Sequence, residues 1–240
     1  MLNKKIDKIV ISIFLVIEIA LYLSFLFLDS SLLNTEVDTS YIKYSGMILC
    51  FLLAFYFAIK KNKLLSYIIP IALIFTLISD YFLLFNQNQD LYLIGLSTFI
   101  CAQLIYFAFI CLIRKRKSEF VVNIVVRVVL TLFAFLLAYF LGFTDALTLM
   151  ALAYFVELVC NFAYSISLIK LNKKLIIFPF GLLLFIGCDI NVALNNVHLF
   201  DGIDYRLVNY LMWAFYLPSQ VCSALTNYLI SNKKCNLVNI

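Results

Sequence analysis

Residues 64–85 read LLSYIIPIALIFTLISDYFLLF, an apolar run of 22 residues whose one charged side chain is Asp80, preceded by Lys60, Lys61 and Lys63. At about 1.5 Å per residue, a helix of that length spans roughly 33 Å, close to the hydrocarbon thickness of a bilayer. In hydrocarbon every backbone N–H and C=O must be satisfied within the protein, which a helix does by itself. The stretch therefore predicts a transmembrane helix. A charged residue at its centre costs at least roughly 2.5 kcal/mol on insertion scales, so Asp80 is expected to face the interior of a bundle.

Working outward, similar runs fall at residues 8–28, 43–59, 91–113, 120–141, 146–169, 175–195 and 207–230, which makes eight expected spans. The chain is 65% hydrophobic and 13% charged, with a mean hydropathy of +1.05, against about a quarter charged in soluble domains. No water-facing globular surface can be built from that material. The expectation is an all-α polytopic membrane protein, a single integral domain over residues 1–240. The first run is longer than a signal-peptide core and lacks a small-residue cleavage site before Asp29, so a retained helix is expected there.

The connections alternate in charge. Basic clusters occupy every other one: Lys4, Lys5 and Lys8; Lys60, Lys61 and Lys63; Arg114 to Lys117; Lys170, Lys173 and Lys174; Lys233 and Lys234. The remaining connections carry Asp29, Glu36, Asp38, Asp90, Asp145, Asp201 and Asp204, with only Lys43 and Arg206 as basic residues. The positive-inside bias makes the basic side cytoplasmic and puts both termini there, as in a bacterial-type plasma membrane. The net charge of +5 is thus a topology signal, and no nucleic-acid partner is expected. Cys50, Cys101, Cys111, Cys160, Cys188, Cys222 and Cys235 show no metal-type spacing, and neither a disulfide nor a metal site is expected.

An internal repeat is visible in the third and seventh runs. Pro70 is followed ten residues later by Asp80, and Pro179 ten residues later by Asp189; the next run in each copy carries a glutamine, Gln103 or Gln220. This predicts two parallel four-helix halves, residues 1–117 and 118–240, related by an axis along the membrane normal. If the third and seventh helices face one another, Asp80 and Asp189 share a cavity at matched depth. Two carboxyls with little water hold one negative charge more cheaply than two, leaving one able to donate a proton.

Other polar residues within the runs keep helical spacing. Tyr154, Glu157, Asn161 and Tyr164 form one stripe, Tyr216, Gln220, Ser223 and Asn227 another, and Gln103 and Tyr106 lie a turn apart. Gln103, Tyr106, Glu157, Asn161, Tyr216 and Gln220 are read as a substrate-binding wall, although such stripes also serve to glue helices together. Arg127 is placed to snorkel toward the cytoplasmic interface, Glu18 with Tyr22 is ambiguous, and His198 is expected to be merely solvated. No Gly-rich phosphate loop, H-E-x-x-H or G-x-S-x-G occurs, so Asp80 and Asp189 are the candidates for chemistry.

At these residues the chain resembles the YhhN family of membrane proteins, which includes lysoplasmalogenases. IIPIALIFTLISDYFLLF (68–85) with YLIGLSTFICAQLIYF (92–107) is similar to the family's first acidic motif and following helix. FGLLLFIGCDINVAL (180–194) with YLPSQ (216–220) is similar to the second acidic motif and the glutamine of the last helix. Ser79 stands where the family usually has Gly, Cys188 where it has Ser, and Gln103 where many members have His. The resemblance implies hydrolysis of the vinyl ether of lysoplasmalogens to a fatty aldehyde and a glycerophospho-alcohol, without a cofactor. The partners it implies are a lysophospholipid substrate and membrane lipid; it leaves the oligomeric state open. An acid–base carboxyl pair suits that chemistry. It equally suits the alternative, a proton-coupled transporter, because parallel repeats and intramembrane carboxylates are natural there too.

Overall fold

The structure, a computed structural model, describes residues 2–30, 38–85, 89–197 and 205–231. Among these residues there are eight α-helices and no strand: α1 (Leu2–Leu28), α2 (Ser40–Lys61), α3 (Leu64–Phe85), α4 (Gln89–Arg114), α5 (Lys117–Phe140), α6 (Ala146–Ser165), α7 (Ile177–Val197) and α8 (Tyr205–Ser231). Seven of them, α1 to α7, are long and apolar enough to cross a membrane. The eighth is as long as α1, 27 residues, but Asn209, Ser219, Gln220, Ser223, Thr226 and Asn227 lower its hydropathy. Ser219, Gln220, Ser223, Thr226 and Asn227 are buried within the protein, so this polar load is shielded from lipid. His198, Glu36, Asp201, Asp204, Lys233, Lys234 and Cys235 lie outside the described residues.

Local chemistry sets the helix ends. The second helix stops at Asn62, whose left-handed φ of 51° lets its N–H reach the Ala58 carbonyl at 2.8 Å. The fifth ends into Gly142 at φ +84°, a conformation that side-chain-bearing residues avoid. Asp145 caps α6 by accepting the Thr148 N–H at 2.9 Å, which holds its carboxyl below the ordinary range. The sixth run was expected to stay α-helical to residue 169, but its α-helix ends at Ser165 and tightens into a 3₁₀ turn, Ile166–Lys170. Ser165 and Ser167 donate to carbonyls three residues back, Phe162 at 2.7 Å and Tyr164 at 2.6 Å, which competes with the α-helical ladder.

The packing pairs up across the chain. α1 packs on α2 as α5 packs on α6, α2 on α3 as α6 on α7, α3 on α4 as α7 on α8, and α2 on α8 as α6 on α4. The up-and-down course is read from contacts at the two ends. At the basic end, Lys60 pairs with Asp7, Lys61 Nζ donates to the Ile230 carbonyl at 2.8 Å, and Arg114 forks onto Glu119 at 2.6–3.0 Å. At the other end Asp29, after α1, accepts from Thr39 at 2.7 Å, and Tyr41 of α2 packs on Phe85 of α3 at 5.1 Å.

Proline positions one docking contact. Pro218 has no N–H, so the Ala214 carbonyl four residues earlier loses its helical donor. The Tyr22 hydroxyl reaches across from α1 and donates to that carbonyl at 3.0 Å. Tyr22, ambiguous in the sequence, is thereby a fastener of α1 to α8.

Candidate active site

A cavity of about 340 Å³ opens at the end of the bundle where α2, α4, α6 and α8 begin and α3 and α7 finish. Its size falls within the range of ligand pockets, about 300–1,000 Å³. Asp80 from α3 and Asp189 from α7 both line it. Counted along their helices, Asp80 lies about 8 Å and Asp189 about 12 Å from the ends, so Asp189 is about 4 Å deeper where equal depth was expected.

The walls are aromatic. Phe99 of α4 touches Tyr154 of α6 at 5.5 Å and Phe185 of α7 at 5.8 Å, and Tyr216 of α8 contacts Phe185 and Trp213 at 5.3 Å each. These contacts, edge-on except for the tilted Phe99–Tyr154 pair, fix ring orientation beyond what area burial alone provides. Tyr216 donates to Asp80 Oδ1 at 2.6 Å, while Asp80 Oδ2 is buried without a partner. Tyr154 stands beside Asp189 without closing a hydrogen bond, and Asp189 Oδ2 is also unpartnered. The arrangement can hold a proton on one carboxyl and a charge on the other against a largely apolar wall.

A model of the YhhN family matches residues 39–227, from the turn before α2 into α8. The chain belongs to the YhhN family. No curated protein and no solved structure matches the chain significantly. The matched region of this YhhN chain holds both aspartates and all seventeen lining residues of the cavity, and leaves α1 outside.

The residues expected to bind substrate separate into two groups. Tyr216 lines the cavity; Gln103, Tyr106, Glu157, Asn161 and Gln220 do not. Asn161 donates to the side-chain and backbone oxygens of Gln103 at 3.0 and 2.8 Å, tying α6 to α4. Tyr106 is fully buried against Phe178 at 5.6 Å, and Gln220 donates to Ser219 at 3.2 Å. Glu157 pairs with Arg127. The stripes are real faces, but each runs several turns below the cavity floor, and only Tyr154 and Tyr216 at their upper ends reach it. Periodicity identifies a face and is silent about depth.

Arg127 does not snorkel. Its guanidinium is buried, pairs with Glu157, donates to Asn161 at 2.8 Å and lies 4.0 Å over the Phe107 ring. Apart from Ala138, it is the buried residue of α5, so this network holds the helix to the bundle. Glu18 is buried too, receiving the Cys50 thiol at 3.6 Å. Sequence reading passed over most of the lining residues, Phe99, Asn209 and Trp213 among them, and it took one, Lys43, for a loop charge. The available signal was its place as one of two basic residues on the acidic side.

Proposed function

We propose that this YhhN-family protein hydrolyses the vinyl ether bond of lysoplasmalogens, releasing a fatty aldehyde and a glycerophospho-alcohol. The observation that carries the reading is that Asp80 and Asp189 open onto one cavity with aromatic walls. Membership of the family and the resemblance of both acidic motifs support the substrate class.

The chemistry needs an acid, a base and water. In this mechanism the negative charge of the pair rests on Asp80, where the Tyr216 hydroxyl donates to it, and the proton on Asp189. Asp189 delivers its proton to the vinyl carbon distant from the ether oxygen, leaving an oxocarbenium ion. Asp80 and the faces of the surrounding rings stabilise that cation. Water adds to the cationic carbon and yields its proton to a carboxylate. The resulting hemiacetal collapses as a proton moves to the ether oxygen, the C–O bond breaks, and aldehyde and alcohol leave. One water is consumed and the carboxyl pair returns to a single proton.

The helices that carry the aspartates run unbroken through them, Leu64–Phe85 and Ile177–Val197. Pro179 occupies the first turn of α7, where a missing N–H costs nothing. Transport sites are commonly built from broken helices, so the geometry favours a fixed reaction site. The test is aldehyde release by purified protein given a lysoplasmalogen and, separately, its saturated ether analogue. Aldehyde from the vinyl ether alone is the expected result; none from either removes the hydrolase reading.

A further inference from the structure

Lys43 is a buried cation on the wall of the cavity that holds both aspartates. Its ammonium is held from behind: Asp29 Oδ2 accepts it at 2.7 Å, and Asp29 Oδ1 is itself fixed by the Thr39 hydroxyl at 2.7 Å. Trp213, another lining residue, presents its ring 4.8 Å from the ammonium. Asp29 does not line the cavity. The ammonium therefore sits between a carboxylate outside the cavity and the ring of Trp213 that lines it, with the Phe25 ring 5.8 Å away. An ammonium has three N–H donors, and Asp29 engages one side of it.

Topology does not call for a lysine here, since it stands at the end of the bundle where the connections are acidic. A helix clamp does not call for one on a cavity wall either. A ligand with an anionic group would use what this geometry leaves over. We infer that Lys43 binds the phosphate of a lysophospholipid headgroup while the vinyl ether lies at the aspartates. The inference rests on the proposed function and names the recognition step of the same site. In such a lipid the ether and the phosphate are joined by a three-carbon glycerol, so one cavity of about 340 Å³ takes both. Lys43 is a binding residue with no part in proton transfer; Asp29 and Trp213 position it.

The chain has a single tryptophan, so Trp213 fluorescence reports occupancy of this cavity without interference. Full-length protein in a phosphate-free sugar detergent is titrated with three probes that cannot be cleaved as vinyl ethers. They are a saturated-ether lysophospholipid, a 1-O-alkyl glycerol lacking phosphate, and glycerophosphate lacking the chain. The expected result is saturable binding of the lysophospholipid that Lys43→Gln weakens about tenfold or more, the scale of a charge-assisted hydrogen bond. Alkyl glycerol binding changes by less than about twofold, and Lys43→Arg keeps most of the headgroup effect. Equal loss for both lipids makes Lys43 a structural clamp and overturns the inference. Glycerophosphate binding as tightly as the lysophospholipid overturns the lipid assignment.

Asp29→Asn gives a second, opposite sign. Freed of its counter-ion, Lys43 should bind the lysophospholipid as tightly as before or more tightly, whereas a clamp loses its partner and binding weakens. This variant carries the test should Lys43→Gln fail to give monodisperse protein. The two readings fail separately. Lys43-dependent headgroup binding without aldehyde release from a lysoplasmalogen sinks the hydrolase reading alone. Aldehyde release with affinity indifferent to Lys43 sinks the present inference alone.

Discussion

The two halves of the chain bury the same acid at the centre and different ionisable groups at the edge. Asp80 and Asp189 are 109 residues apart, and the same offset separates Glu18 of α1 from Arg127 of α5. Both outer helices pack on the helix that follows them. Glu18 meets a thiol and leaves Oε2 without a partner; Arg127 meets a carboxylate, an amide and an aromatic face. The central residues differ less, yet they differ: Asp80 holds a formed hydrogen bond from Tyr216 and Asp189 has Tyr154 beside it unbonded. Equivalent scaffold positions thus hold an acid met by a single thiol in one half and a cation engaged by three groups in the other. The cavity, by contrast, is made of both halves at once.

The largest effect expected from this comparison is at the edge. Arg127→Met leaves Glu157 without its cation inside the bundle, and unfolding stability should fall by about 3 kcal/mol, the lower end for breaking a buried pair. Adding Glu157→Gln should restore most of it. Glu18→Gln, which keeps the contact with Cys50 and removes an ionisable group, should leave stability unchanged or raise it. Unfolding curves in detergent for the four proteins decide this, and equal losses for Arg127→Met and Glu18→Gln would show that the edges are not held differently.

At the centre, Asp80→Asn and Asp189→Asn should each reduce turnover by a factor of about 10² or more, roughly 2.7 kcal/mol of activation energy. Asparagine keeps the size and hydrogen-bonding reach but neither donates an acid proton nor carries charge. Aldehyde release at matched amounts of monodisperse protein is the measurement. Near-normal rates in both variants remove the carboxyl pair from the mechanism.

A third comparison sets two close helix contacts, one from each half, side by side. A Cβ on Gly181 would lie 2.7 Å from Cys222 Cβ and 3.0 Å from the Ser219 carbonyl, whereas one on Gly95 would meet the Leu83 and Phe82 side chains at 3.1–3.2 Å. Gly181→Ala should therefore cost about 1–3 kcal/mol, and Gly95→Ala less, because its neighbours are side-chain atoms at 3.1–3.2 Å and not a Cβ at 2.7 Å with a backbone carbonyl behind it. Thermal melts that rank the two the other way would contradict the packing described. The smallest effect is the tyrosine pair. Tyr216→Phe should slow turnover about tenfold, about 1.4 kcal/mol, and Tyr154→Phe less, since only the former deletes a formed hydrogen bond. Equal slowing would mean that the two aspartates have interchangeable roles.

Much of the architecture was legible in the sequence because lipid leaves few choices. An apolar run of that length in lipid is a helix, and each expected run holds one, seven of them apolar enough to span, although α1 starts six residues early and Ser165 and Ser167 impose a 3₁₀ turn on the end of α6. The polar stripes of α6 and α8 were legible as faces for the same reason. The aspartates stood out because a charge in an apolar run is expensive and therefore rare.

What the sequence determined by itself was the list of helices, their alternating course and the two acidic positions, all set by local periodicity and by the cost of polar groups in hydrocarbon. The tertiary structure decided the depth of the cavity, and with it the fate of each polar residue. Gln103 and Asn161 pair below the floor, Glu157 goes to Arg127, and Tyr154, Tyr216 and Lys43 reach the space shared by the aspartates. Those outcomes depend on which turn of one helix meets which turn of another. A side chain carries no record of its partner across the bundle, so only the packed helices could assign it.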